Sequence, residues 1–379
     1  MKIMKRNIFA AGIVIVLTII YGLSILCKSS NVEKKNINNI RLWKENGEYE
    51  GFYFQQLSKE EKELYDIIKT AVLSPKNEIH IAGATKEQIK KCFAFVLYDF
   101  PQIFYTNGYH LKEVYGGVGN AYIMTPIYEY NEEHIQELSR EIEESAYDLL
   151  SETAHNAWKE ADLLDNLYES LIVNTNYNKE ADNNQNICSV FCTHESVCQG
   201  YAKSLQYLLN LLEIDNILVL GETKEGEAHV WNMVLLEGNW YHVDLTFGDG
   251  IFDTDRIMGE ENEVIHYGYL TMNDEDIAQT HRMKKMFEYP QCTSREANYY
   301  VRKNRYLNYA GKRVIKKVFS EWNWENEKRI SIKASNPKVY DRLYQYLLKD
   351  GAVFDYLPKE VQNVYYLSSG ELLTLTFWL

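Results

Sequence analysis

AHVWNMVLLEGNWYHVDLTF, residues 228–247, divides at Glu237-Gly238 into two apolar-rich halves. A two-residue turn at that dipeptide makes the segment an antiparallel hairpin of two strands. Leu236 then faces Asn239, and Trp231 faces Asp244. Side chains alternate with period two, so His229 becomes the diagonal same-face neighbour of Asp244. Diagonal neighbours stand ~7–8 Å apart at the backbone, within reach of an imidazole and a carboxylate. A three-residue loop without a bulge would place the two on opposite faces. A His held by a buried carboxylate is fixed in tautomer and stabilised as imidazolium, which a base for a Cys nucleophile requires. The plain alternative is an ordinary hairpin with one surface His and one surface Asp. His242, one residue removed from Asp244, is expected on the other side of the strand as a structural or exposed His.

Upstream lies VCQGYAKSLQYLLNLLEI, residues 197–214. Ala202, Leu205, Leu208, Leu209 and Leu212 fall at helical spacing, which puts Cys198 at or just before a helix start. The unsatisfied N–H groups and dipole of such a start favour a thiolate placed there. The same N–H groups can receive the oxyanion of a tetrahedral intermediate. Gly200 lets the backbone come close. Taken alone, a Cys beside an apolar helix is as well explained as a small buried hydrophobe.

A Cys at a helix start, followed by a His and an Asp on adjacent strands, resembles the transglutaminase-like superfamily in order and setting. VCQGYA, AHVWNMV and WYHVDLTFGD carry the likeness, and YGYLTMNDEDIAQTHR resembles the stretch that follows the core in bacterial members. YDFPQIFY and YESLIVNTNYN look like lead-in segments of membrane-attached or secreted Gram-positive members. The resemblance implies an α+β, papain-like core with the Cys helix packed on an antiparallel sheet. It matches Cys198 to the nucleophile, His229 to the base and Asp244 to the orienting acid. Trp231 and Trp240 match aromatic positions that wall the site, and Gln199 and Tyr201 lie beside the nucleophile as substrate contacts. His281 fits the tail segment without an evident role. The chain departs from the pattern at NICSVFCTHESVC, where related sequences usually have a small loop without Cys.

That departure opens other chemistry. Cys188, Cys192, His194 and Cys198 form C-x3-C-x-H-x3-C, three thiolates and an imidazole that could bind zinc and silence Cys198. The paired CxxC knuckle of common zinc sites is missing. A disulfide from Cys188 or Cys192 to Cys292 is conceivable outside the membrane, and His194 is an alternative base. No metal or other cofactor is implied by the triad itself. No phosphate-cradling glycine loop, EF-hand or HExxH pattern appears.

The flanks set the organisation. Residues 1–28 combine a basic start (Lys2, Lys5, Arg6) with an uncharged, almost wholly apolar run from Asn7 to Cys27. That length spans a bilayer and reads as an uncleaved anchor with the rest of the chain outside. Residues 29–45 are a polar linker, 46–153 an N-terminal α+β region, 154–290 the transglutaminase-like core and 291–379 a C-terminal α+β region. The net charge is −14, from 54 acidic and 40 basic residues. Such a chain lacks the clustered cations that nucleic acid demands. Two functions follow as expectations. One is a cysteine-dependent acyl-transfer enzyme acting on amide bonds of proteins or peptides at the cell surface, releasing the acyl group to water or to an amine. The other is a binding or scaffolding protein that keeps the fold without turnover.

Overall fold

The computed structural model describes residues 49–379 apart from 74–77, 115–119, 155–156, 158, 250–264, 324–326 and 328. The expected anchor at 1–28 and linker at 29–45 lie outside the described residues. Among the described residues, no helix is long and apolar enough to cross a membrane.

The chain is α+β, and each region has its own sheet. In the first, β1 (Ile79–Ala82), β2 (Thr106–Glu113) and β3 (Ala121–Tyr128) form a sheet in the order β1-β3-β2. Helix Lys59–Leu73 starts at a capping box: Glu61 N–H donates to Ser58 Oγ at 3.3 Å, and Glu61 Oε2 accepts from Ser58 N–H at 3.1 Å. Helix Lys86–Asp99 starts at Thr85 in the same way. A long acidic helix spans Glu132–Ala154.

The central region follows. Helix Glu160–Val173 leads into a two-strand parallel ladder of β4 (Asn176–Tyr177) and β5 (Glu195–Ser196), with the short helix Cys188–Phe191 between them. Helix Cys198–Leu211 comes next and packs on a four-stranded antiparallel sheet. That sheet has the order β8-β7-β6-β9, from β6 (Asn216–Thr223), β7 (Ala228–Leu236), β8 (Asn239–Val243) and β9 (His281–Met283). β7 and β8 pair Leu236 with Asn239 and Asn232 with Val243, the register of a two-residue turn. Glu237 and Gly238 both have positive φ, 49° and 83°, the primed turn whose twist suits a hairpin. The second strand is shorter than its apolar run suggests. It ends at Val243, and Asp244 caps a one-turn helix, Leu245–Gly248.

The last region builds β10 (Tyr306–Leu307), β11 (Arg329–Ala334), β12 (Tyr365–Ser369) and β13 (Thr374–Trp378) into a sheet ordered β10-β11-β13-β12. Helices Lys312–Ser320 and Pro337–Tyr344 belong to this region. Two hydrophobic cores result. One runs without a break from Phe52 to Tyr300 and holds the first two regions together. The other gathers Leu307 to Phe377. Arg302 bridges helix Glu160–Val173 to the last region through Asp162 and Asp165.

Candidate active site

Cys198 stands half-buried at the first position of its helix. Val197 precedes it in extended conformation and supplies no side-chain cap. The first-turn N–H groups are therefore left without the capping oxygen that Ser or Asp would provide. Close packing brings the turn into place. Ser189 Oγ and Ser196 Oγ meet at 2.7 Å, and Ser196 Oγ donates to Asn184 O at 3.1 Å. A Cβ on Gly200 would collide with Ser196 Oγ and come within 2.6 Å of Ser189 Oγ. Glycine is needed there for lack of space.

On the sheet, His229 Nε2 lies 2.7 Å from Asp244 Oδ2. Both residues are buried, at 5% and 1% exposure. Asp244 does three things at once. Its Oδ1 accepts from Phe247 N–H at 3.1 Å and caps the one-turn helix. Its Oδ2 holds His229. Its backbone N–H donates to Tyr269 O at 3.0 Å. With Nε2 committed to the carboxylate, the other ring nitrogen of His229 is left for the Cys198 thiol, which reaches the ring as a hydrogen-bond partner. Burial works against a charged imidazole. The Asp244 carboxylate and Cys198 more than offset it, and His229 is pushed up to about 10. Burial alone would raise Asp244, but His229, with His281 behind it, holds the carboxyl well below its ordinary range. The arrangement sets an imidazole between a carboxylate and a sulfur.

The structure thus brings Cys198, His229, Asp244 and Trp231 together. Trp231 stacks beside His229 with ring centroids 6.0 Å apart and planes at 20°. Trp240 pairs with Leu235 near the hairpin turn, four residues along the strand from Asp244, about 13 Å at strand rise. Gln199 is half-buried beside the nucleophile. Tyr201 turns inward instead: it is 1% exposed, and its one hydroxyl proton is shared between Thr175 O at 2.7 Å and Asp249 Oδ2 at 2.9 Å. It fastens the Cys198 helix to the chain on either side and offers nothing to a substrate.

The rival constellation separates. Cys188 and Cys192 contact each other one helical turn apart, and both are free thiols. His194 is exposed on a positive-φ loop residue, and Cys198 faces His229, so the four do not converge. Cys292 is also a free thiol and lies against Asp274 and His242 rather than either of the other two. His242 is corrected as well. Residues two apart share a face of a strand, so His242 lies on the same side as Asp244, fully buried. Its Nδ1 accepts from Trp231 Nε1–H at 3.0 Å, and its Nε2 meets Asp274 Oδ1 at 3.0 Å.

Two groups of donor atoms converge within 4.8 Å among the described residues: His229–Asp244–His281 and His242–Asp274–Cys292. Neither fits a metal ion as it stands. Trp231 is a donor only, so His242 must keep its proton on Nε2, the nitrogen an ion would need. In the other group, an ion would have to break the 2.7 Å His229–Asp244 hydrogen bond.

Two neighbours escaped the sequence. Tyr177 sits in an asparagine-rich segment, residues 174–186, and pairs with Ser196, two residues before the nucleophile. Burial, then the charges of Cys198, Glu227 and Asp244, push its hydroxyl up to about 12, so it remains a donor. His281 is the other. Its Nε2 lies 3.0 Å from Asp244 Oδ2, reached across 37 residues of chain that carry no local signal of the contact.

Residues 147–245 match the model of the transglutaminase-like superfamily. They belong to that superfamily. The matched segment takes in Cys198, His229 and Asp244 and is about a quarter of the chain. The chain is also 36% identical over 73 residues to the kyphoscoliosis peptidase of Homo sapiens, covering 16% of this chain and 11% of that protein. The mouse enzyme of the same name is 34% identical over 73 residues, with the same coverage. The match thus spans about a tenth of the length of these relatives. A crystal structure described as a TGase is 16% identical, covers 49% of this chain and 54% of its own, and aligns with a TM-score of 0.28. A score that low says nothing about shared architecture.

Proposed function

We propose that the transglutaminase-like core is a cysteine-dependent acyl-transfer enzyme acting on amide bonds. The observation that supports it is the imidazole of His229 between the Asp244 carboxylate and the Cys198 thiol, at the start of an uncapped helix. In this reading the Cys198 sulfur attacks the amide carbonyl as thiolate. The oxyanion that forms is received by first-turn N–H groups of the helix. His229 passes its proton to the nitrogen as the carbon–nitrogen bond breaks, which leaves a thioester on Cys198 and frees the amine. His229, now neutral, takes a proton from water or from a second amine. That nucleophile attacks the thioester, releases the acid or the new amide, and restores the thiolate–imidazolium pair.

Asp244 keeps the ring in one tautomer and balances its charge throughout. Gln199, half-buried beside the nucleophile, meets the substrate, and the buried Trp231 backs the His229 ring. The apolar run from Asn7 to Cys27 favours a membrane-attached protein with surface proteins or wall peptides as substrates.

The test is the rate of Cys198 alkylation by iodoacetamide across pH, in the wild type and in His229→Ala. Fast alkylation near about pH 6.5, lost without His229, supports an activated pair, because an ordinary thiol reacts mainly above about pH 8.5. Equal rates in the two proteins overturn it. A fluorescent amine offered together with a peptide then separates cross-linking from cleavage.

A further inference from the structure

We infer that His281 is a positioning residue for the proposed acyl transfer, acting on His229 through the carboxylate oxygen that both rings approach. The inference rests on the reading above and adds a fourth residue to it.

Asp244 Oδ2 has two imidazole neighbours, His229 Nε2 at 2.7 Å and His281 Nε2 at 3.0 Å. The two rings stand 5.0 Å apart at 44°. His281 comes from β9, the sheet edge, where its backbone pairs with Thr223. It is 3% exposed, and its ring is boxed by Phe247 at 4.6 Å, Trp231 at 5.1 Å and Tyr269 at 6.1 Å. A phenylalanine would fill such a box. A polar ring is kept in apolar surroundings where it has something to bond.

The tautomer follows from the far side of the ring. Thr280 Oγ1 lies 2.7 Å from His281 Nδ1, while the carbonyl of Ile277 is 3.5 Å from the same hydroxyl. The short contact takes the hydroxyl proton, so Nδ1 accepts and Nε2 carries the N–H. That N–H points toward Asp244 Oδ2, off the ideal line of a hydrogen bond, and Nε2 has no other partner among the described residues. The reverse tautomer would press a lone pair against a carboxylate in a dry site.

Among the described residues, the titratable groups around the ring are His229 and Asp244 on the hairpin, His242 beyond Trp231, and Tyr269 on the turn Tyr267–Tyr269. One buried carboxylate does not balance two imidazolium ions at this spacing. The two rings therefore divide their roles: His229 faces the sulfur, and His281 is a donor directed at the carboxylate alone. His281 draws charge from Oδ2 and fixes the carboxylate's position. Its effect is to soften the grip of Asp244 on His229, so that the imidazolium can release its proton to the leaving amine.

The test uses the full chain, iodoacetamide and three variants. In glutamine the amide nitrogen reaches the place of Nε2; in asparagine it stops at that of Nδ1; phenylalanine fills the box without a donor. The readout is the upper step in the alkylation rate against pH, where the imidazolium gives up its proton. His281→Phe and His281→Asn should move that step upward by about one pH unit, a tenfold change, and His281→Gln should leave it near the wild type. If all three variants keep the wild-type step and differ only in melting temperature, His281 is packing and the inference fails. Glutamine and asparagine behaving alike overturn it too, and this comparison stands even if the phenylalanine variant does not fold. A wild type with no His229-dependent reactivity overturns the acyl-transfer reading itself, a separate result.

Discussion

His229 and His242 lie on the same face of the β7–β8 hairpin and meet carboxylates at similar distances, 2.7 Å to Asp244 and 3.0 Å to Asp274. Their protons respond in opposite ways. Burial and then the surrounding charges leave His229 raised to about 10, whereas burial leaves His242 lowered despite its hydrogen bond to Asp274. The carboxylates differ: the Asp244 side chain is 1% exposed and that of Asp274 is 37% exposed, so water dilutes the pull of Asp274. The far nitrogens differ more. His242 Nδ1 accepts from the indole of Trp231, and an imidazolium would set two N–H groups against each other. His229 turns its far nitrogen to a thiol, which can give up a proton. An Asp–His pair is reactive or inert according to what stands on the side away from the Asp.

The largest break in this contrast comes from removing the sulfur or the imidazole that faces it. Cys198→Ala and His229→Ala should each lower amide turnover by about 10⁵-fold or more, since members of such a unit fail together. Circular dichroism of both variants should match the wild type. Full biological function retained in Cys198→Ala, with no turnover in the wild type, would favour the scaffolding reading instead.

Asp244→Asn should come next, at about 10³–10⁴-fold in turnover, because an amide favours the wrong tautomer of His229. Its stability effect has a definite pH window. His229 is raised in the folded protein, so its contribution is complete below the ordinary imidazole range and fades as pH climbs toward about 10. Asp244 is lowered, so its contribution is complete above the ordinary carboxylate range and fades as pH falls below it. The melting-temperature gap between wild type and Asp244→Asn should therefore be widest between about pH 4 and 6.5 and narrow on either side. A gap that does not vary with pH would show that Asp244 acts mainly as a helix cap.

How much of this was legible in the sequence differs along the same hairpin. The turn at Glu237-Gly238 fixed the register, and the register brought His229 to Asp244. Gly200 was legible as a close approach because glycine at a helix start has few other uses. The end of the strand was not legible, since Asp244-Leu-Thr-Phe reads equally well as strand. Only the tertiary fold makes Asp244 a cap and a hydrogen-bond acceptor at once. Tyr201 misled because adjacency to the nucleophile in sequence is adjacency on a helix, where neighbouring residues point about 100° apart. His281 and Asp274 reach the hairpin through contacts far off in the chain, and local pattern does not encode them. Gly200→Ala tests the part that was legible. The new Cβ meets Ser196 and Ser189, and overpacking of this kind costs about 1–3 kcal/mol. Denaturant melts should show that loss together with slower alkylation of Cys198, because the displaced turn carries the sulfur.

The smallest effect on chemistry, and the sharpest test of the contrast, belongs to His242→Phe. The substitution keeps an aromatic ring in the sheet core but strips Trp231 of its acceptor and Asp274 of its donor. Leaving the buried indole N–H unpaired costs about 1–3 kcal/mol, so the variant should melt earlier. Turnover should fall less than about tenfold, since Trp231 touches His229 only through ring packing. The alkylation profile should keep the wild-type shape, because neither neighbour of the His229 ring nitrogens has changed. A profile that shifts in His242→Phe would mean that Trp231 transmits the state of the second pair to the first, and that the two pairs work as one network.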